Sequence, residues 1–430
     1  MLMRVPEEEI GISVYWTEGV SGIGGKLKTS PEDFVVDEVS IFPPEDPNGE
    51  YTAAVVLHRN WEMNRLVRRL GSNLRIGRGR IAFAGTKDKR SVATQLMTFA
   101  APPEAVTTIY IPDVEFLRIY RTRVSTALGS LYGNRFRIVV RGVDITDLKD
   151  RIESVGAKIE ELAGFPNFFG VQRFGVVRPI THLIGKALVQ GDFERAVMMY
   201  IAEQADSEGD ESKEARRLVL ETRDFKQALK RFPKNLVFER TLLGHLSERP
   251  GDFSGALKKL PRNLVMMFVH AYQSFLFNKI LSKRIERNMP LNVPVEGDII
   301  LPLNKRGLPN QRRHVRVNGS NISLASSKIR EGKGFVSGSL FGSDATFAEG
   351  EMGEIEHTIV ENEKLKASDF IVPEVITASS KGIRRELLSP MRDFRWRISD
   401  SSAFFSFELN KGCYATTLLR EYMKAEIMSY

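Results

Sequence analysis

Ile81-Ala82-Phe83-Ala84-Gly85-Thr86-Lys87-Asp88-Lys89-Arg90 is the stretch around which the rest of the 430-residue chain is read. Ile81 to Ala84 is a short apolar run of strand type, and it breaks at Gly85 into a turn. In that turn a single carboxylate, Asp88, is flanked by Lys87, Lys89 and Arg90. Neighbouring cations favour the ionised carboxylate, and an ionised carboxylate can attack an electrophilic carbon. A charged turn is also what ordinary solvated surface looks like, and that is the commoner outcome.

Upstream, Phe34 to Val39 and Tyr51 to Leu57 are β-rich runs. Arg65, Arg68 and Arg69 then share one face of a helix by their i, i+3, i+4 spacing. Downstream, Phe136 to Val140 predicts a further strand. Leu148, Ile152, Val155, Ile159 and Leu162 alternate steps of four and three, which predicts a helix that Gly164 and Pro166 stop. An aromatic, glycine-dense block follows, Asn167-Phe168-Phe169-Gly170-Val171-Gln172-Arg173-Phe174-Gly175. Residues 190 to 285 read as helical, with a solvated acidic segment from Glu203 through Asp206 to Glu214. Tyr272, Phe275 and Leu276 there fall at core spacing. Residues 290 to 400 return to short runs and turns, which suggests mixed α/β structure.

Lys and Arg number 62 against 54 Asp and Glu, a net charge of +8. That balance favours an anionic partner, nucleic acid before membrane. Five basic clusters, Arg65/Arg68/Arg69, Arg75/Arg78/Arg80, Arg118/Arg121/Arg123, Arg312/Arg313/Arg316 and Lys381/Arg384/Arg385, together fit a phosphate-tracking surface. The one cysteine, Cys413, excludes an intramolecular disulfide framework and cysteine-rich metal centres. Six scattered histidines form no ligand pair, so no metal site is expected. Gly24-Gly25-Lys26 suggests a phosphate loop, but Val20 and Leu27 break the required pattern, so no nucleotide cofactor is expected. The longest apolar stretch in the middle, Leu264 to Val269, is far too short to span a bilayer. A reduced, soluble, cytoplasmic protein is the expectation.

The block from Asn167 to Gly175 allows two readings. Aromatic faces beside amide and guanidinium groups suit an unstacked base. A packed corner, with phenylalanines as core and glycines permitting tight turns, uses the same residues.

Ala84-Gly85-Thr86-Lys87-Asp88-Lys89-Arg90, followed by Thr94 and Gln95, resembles the catalytic motif of the TruD family of tRNA pseudouridine synthases. Pro31-Glu32-Asp33-Phe34-Val35-Val36-Asp37-Glu38, the Asn167 to Gly175 block, and Gly412-Cys413-Tyr414-Ala415-Thr416 with Leu419-Arg420-Glu421 resemble three further motifs, in family order. Gly129, Leu131, Gly133, Asn134 and Phe136, and Ala271-Tyr272-Gln273-Ser274, fit as well. The resemblance implies an α+β fold: a pseudouridine synthase catalytic domain, a mixed and largely antiparallel sheet flanked by helices, built from residues 1–190 plus 389–430. A large inserted α/β domain characteristic of the family would occupy 191–388, and RNA would lie between the two.

The resemblance also implies roles. Asp88 matches the catalytic aspartate; Phe34, Asn167 and Tyr414 match positions that contact the target nucleotide. Phe169 and Lys28 are implied neighbours of the site, Lys28 as a cation near the aspartate. Cys413 departs from the family, where a small residue such as Ser is commoner. The implied reaction converts uridine to pseudouridine in tRNA, at position 13 of the D arm, with position 35 or other RNAs modified by some members. It needs no metal, redox step or nucleotide, and a monomer is expected. A non-catalytic RNA-binding protein and an S-adenosylmethionine-dependent RNA methyltransferase are the rival readings.

Overall fold

A computed structural model describes residues 7–205 and 208–430, so Asp206 of the acidic segment lies outside the described residues. In chain order the elements used below are β1 (Gly24–Lys26), β2 (Phe34–Ser40), β3 (Tyr51–Arg59), α1 (Met63–Leu74), β4 (Ile81–Phe83), β5 (Val92–Phe99), β6 (Val114–Thr122), β7 (Leu131–Val143) and α2 (Leu148–Leu162). After a run of helices come α3 (Arg262–Glu286), β8 (Ile299–Pro302), β9 (Val315–Arg316), β10 (Gly334–Leu340), α4 (Gly350–Asn362) and β11 (Ile383–Glu386). The chain then supplies β12 (Met391–Ser399), β13 (Ser402–Asn410) and α5 (Ala415–Met423). The expected α+β class is what forms. Two compact units divide it: one takes the chain up to Trp16 and again from Pro166 to Leu388, the other Thr17–Phe165 with Ser389–Tyr430.

The second of these units is built on a nine-stranded sheet of order β12-β13-β7-β2-β5-β3-β6, with β1 added to β7 and β4 to β5. Every pairing is antiparallel except β2 with β5. Period-two burial sets its apolar face: Phe34 of β2, Phe136 of β7 and Phe407 of β13 are buried and in ring contact, with centroids 6.1 and 5.5 Å apart. Helix α2 has the bounds its periodicity predicts and buries the five residues that set it. Helix α1 buries Met63, Leu66, Val67 and Leu70 against Met97 and Phe99 of β5, while Arg65, Arg68 and Arg69 stay exposed on its other side. A β-carbon on Gly133 would stand 2.0 Å from the Leu409 carbonyl oxygen, so the close approach of β7 and β13 needs glycine there.

In the other unit α3 is the central helix. It is the one described helix long and apolar enough to cross a membrane, and 67% of its apolar window is buried, as befits a core helix. Tyr272 and Leu276 are buried as expected, and Phe275 partly so. Helix α3 packs on α4 and on β10 of a four-stranded antiparallel sheet, order β9-β8-β10-β11. Arg384 of β11 lies wholly inside this unit. Its guanidinium donates to Glu356 Oε1 of α4 at 2.8 Å, to Ser337 Oγ at 2.9 Å and to the Thr346 carbonyl at 2.7 Å. Glu356 in turn accepts the amides of Ser339 and Ala348.

A buried ion pair this well satisfied is costly to break from one side. Glu356→Ala is expected to lower stability by about 3–5 kcal/mol, read as a large fall in the denaturant midpoint. The double variant Glu356→Leu/Arg384→Met should recover most of that loss.

Candidate active site

Asp88 sits in the loop between a three-residue strand, β4, and β5. Ser91 Oγ donates to the Asp88 carbonyl at 2.6 Å and closes the turn locally. A second loop, between β1 and β2, reaches it: Lys28 takes a left-handed backbone with φ of +53° and places Nζ 2.7 Å from Asp88 Oδ2. The Arg90 guanidinium donates to the Thr29 carbonyl and stitches the two loops a second time. The Asp88 side chain is 41% exposed and that of Lys28 13%. Among the described residues Asp88 Oδ1 has no hydrogen-bond partner. One carboxylate oxygen is thus oriented by an ammonium while the other faces outward, an arrangement suited to a positioned nucleophile. Lys28 Nζ also lies 4.5 Å from the centroid of the Phe34 ring, which is itself buried.

The residue before Asp88 points the other way. Lys87 Nζ donates to Glu38 Oε2 at 2.7 Å and to Gln95 Oε1 at 3.3 Å, with the Lys87 and Glu38 side chains only 4% and 0% exposed. With its carbonyl so used, Gln95 offers its amide nitrogen to His58 Nε2 at 3.2 Å and to Met63 Sδ at 3.0 Å. Glu38 further accepts from Ser40 Oγ and the Leu96 amide. This buried chain was not foreseen. Lys87 and Gln95 were visible as motif residues, but neither spacing nor composition pairs them with Glu38 and His58.

Tyr414 is half-buried at the N-cap of α5, where its carbonyl accepts from Thr417 Oγ1 at 2.7 Å. Its loop is tied toward the Asp88 loop through a third turn: Lys411 Nζ donates to the Gly129 carbonyl, and the Gly129 amide to the Ala84 carbonyl, each at 2.7 Å. Lys28, Phe34, Asp88 and Tyr414 therefore share one unit. Asn167 and Phe169 belong to the other. There Asn167 Oδ1 accepts from Arg385 at 2.6 Å and its amide donates to the Glu386 carbonyl at 3.0 Å. The Arg385 guanidinium stacks 4.1 Å from the Phe169 ring centroid, and Asn278 bonds both the amide and carbonyl of Phe169. Phe168, Phe169 and Phe174 are all buried, the packed-corner geometry. Arg384 and Arg385 are buried too, and so drop out of the basic surface expected from Lys381/Arg384/Arg385. Among the described residues no three His, Cys, Asp or Glu side chains gather as a metal site would require.

A family model described as tRNA pseudouridine synthase D (TruD) matches residues 9–422. The chain is 40% identical to the "Probable tRNA pseudouridine synthase D" of Methanococcoides burtonii, over 98% of this chain and 97% of that one. It is 41% identical to the protein so described from Thermococcus gammatolerans, over 94% and 95%. The crystal structure of the TruD protein from Methanosarcina mazei is similar with a TM-score of 0.84 and 39% identity, the whole of each chain being covered.

His58 gives the buried chain a pH signature. Burial and then the Lys87 ammonium hold its imidazole down to about 4, against 6.5 in the ordinary case. Between those values the unfolded chain takes up a proton that the folded chain refuses. The stability from neutral His58 is therefore full above pH 6.5 and is lost as pH falls toward 4. Between pH 7 and 4.5 the wild type should lose on the order of 2–3 kcal/mol more than His58→Gln, measured as the change in chemical-denaturation free energy. Parallel pH profiles for the two proteins would contradict it.

Proposed function

The chain belongs to the TruD family of tRNA pseudouridine synthases, and from that membership we propose that it isomerises uridine to pseudouridine in tRNA, at position 13 of the D arm, with Asp88 as nucleophile. The observation that carries this reading is the Asp88 carboxylate, half-exposed and oriented by Lys28, in the loop that bears the family motif. Supporting it is the match of the chain, from end to end, to relatives described as synthases of this kind.

The reaction cleaves the bond from uracil N1 to ribose C1′ and forms one from C5 to C1′. C5 loses its hydrogen and N1 ends protonated, so atoms balance without an oxidant or an energy donor. Asp88 attacks either the ribose C1′ or the uracil C6, and both routes use the same outward-facing oxygen. Holding that oxygen at near-attack distance is what the Lys28 contact and the two stitched loops contribute. The target uridine leaves its stack, at a cost of a few kcal/mol that aromatic contacts offset. Phe34 and Tyr414 are assigned to that contact, Asn167 to a uracil or ribose edge, and Phe169 to the support of Asn167. We assign the catalytic domain to residues 1–190 plus 389–430 and the inserted domain to 191–388; the compact units divide the chain earlier, at Pro166, and group the chain up to Trp16 with the segment that follows Pro166. The enzyme is read as a cytoplasmic monomer that uses no metal or nucleotide cofactor.

Unmodified tRNA carrying tritium at uridine C5, incubated with the protein alone, should release tritium. Asp88→Ala should reduce release by at least about a thousandfold while tRNA binding persists, and a tRNA with cytidine at position 13 should release none from that site. Tight tRNA binding without release by the wild type would turn the assignment to a non-catalytic RNA-binding protein. Release that survives Asp88→Ala would remove the nucleophile.

Lys28→Gln tests the orienting contact. It should lower the single-turnover rate about tenfold or more, since a misplaced nucleophile is slow even when substrate is bound.

A further inference from the structure

Arginine recurs at alternate positions on two strands of the nine-stranded sheet, and the register brings these residues onto one side. Across β7, β13 and β12 the opposed sets are Arg135, Glu408 and Arg392; Arg137, Ser406 and Arg395; and Val139, Phe404 and Arg397. Arg141 stands opposite Ser402 at the end of the ladder. Directly opposed residues of an antiparallel ladder point to the same face. The alternate residues Phe136, Ile138, Phe405 and Phe407 form the buried face, so the arginine face is the open one.

All six arginines are exposed. Three carboxylates answer four of them: Glu408 pairs with Arg135 at 3.3 Å and Arg392 at 2.9 Å, Asp37 with Arg137 at 3.1 Å, and Asp33 with Arg141 at 2.7 Å. Arg395 and Arg397 have no ion-pair partner among the described residues, and Arg397 lies 4.0 Å over the Phe404 ring. The Arg137–Asp37 pair is exposed on both sides and weak, so its guanidinium can exchange a carboxylate for another anion, and Arg395 and Arg397 have none to exchange. Positions i and i+2 on a strand are about 7 Å apart, and β7 and β12 are two strand spacings, about 10 Å, apart. A single small anion would need guanidiniums that converge. A spread grid of forked donors fits a polymer that repeats its negative charge, and phosphodiesters suit the fork geometry.

We propose that this face is a track for the tRNA sugar–phosphate backbone, independent of sequence, which adds affinity beside the site where the chemistry occurs. It rests on the RNA reading above. One end meets the candidate site: Lys26 of β1 opposes Arg141 two residues before Lys28, and Asp33, the partner of Arg141, directly precedes Phe34. These arginines form no cluster along the sequence; the register of β7 and β12 on either side of β13 gathers them.

The test is tRNA binding by Arg137→Gln/Arg395→Gln/Arg397→Gln, measured from 50 to 300 mM salt with an unmodified tRNA transcript. The dissociation constant should rise about tenfold or more at low salt. The slope of its logarithm against the logarithm of salt should fall by about 2–3, close to 0.9 per phosphate contact removed. The triple Lys variant, which keeps the charges, should retain most of the slope. An unchanged constant and slope in a Gln variant that unfolds at the wild-type temperature, while the wild type binds tRNA and releases tritium, would overturn the track alone. A wild-type protein that binds no tRNA would overturn the track and the function together. Retention of polyglutamate in place of tRNA would reassign the face to an acidic protein.

Discussion

A lysine ammonium and a glutamate carboxylate, 2.7 Å apart and nearly out of water, decide how the loop before β5 lies. Either charge alone at that depth would be strongly disfavoured, so the fold holds Lys87 against Glu38. Lys87 is thereby anchored inward, and its neighbour Asp88 in the same loop is held instead by Lys28. Gln95 and His58 extend the constraint: one amide is oriented by the ammonium, and one imidazole is kept neutral to accept from that amide. The half-exposed carboxylate is in this sense the outer end of a buried polar chain.

Much of this was legible in the sequence where the controlling physics is local. Helix α2 was fixed by five apolar residues and its stop signals, and β2, β3 and β4 by short β-rich runs against turn residues. Strands β5, β12 and β13 were not foreseen. Charged and polar residues such as Arg392, Arg395 and Arg397 alternate with Phe394 and Trp396 in β12, so the strand lacks an apolar run although its period is two. Arg384 and Arg385 read as surface because Glu356 and Ser337, which accept from Arg384, and Asn167, which accepts from Arg385, are far away in the chain.

The site divides along the same line. Asp88 stood out by its setting, and the resemblance supplied Lys28, Phe34 and Tyr414; the structure adds the direct contact of Lys28 with both Asp88 and Phe34. The block around Asn167 carried two readings, a base platform and a packed corner. Its phenylalanines are buried, as the packed corner requires, and the Asn167 side chain is held in a fixed orientation by Arg385 and Glu386. No local pattern announces Arg385 as the stacking partner of Phe169, which lies more than two hundred positions earlier.

The sheet leaves the pairing of β7 with β13 until late in synthesis. Strand β7 is complete at Val143, yet its partner β13 begins at Ser402, with a separate compact unit translated in between. At roughly 5–20 residues per second, the β7 edge waits on the order of ten to fifty seconds for the strand that covers it. Contacts so distant in sequence also carry a loop-closure entropy that slows their formation. An open edge invites pairing with the wrong chain. Here that edge carries Arg135, Arg137 and Arg141 at alternate positions, and like charges on neighbouring nascent chains repel. The arginines that dress the finished face would thus also keep the unfinished one apart from its copies.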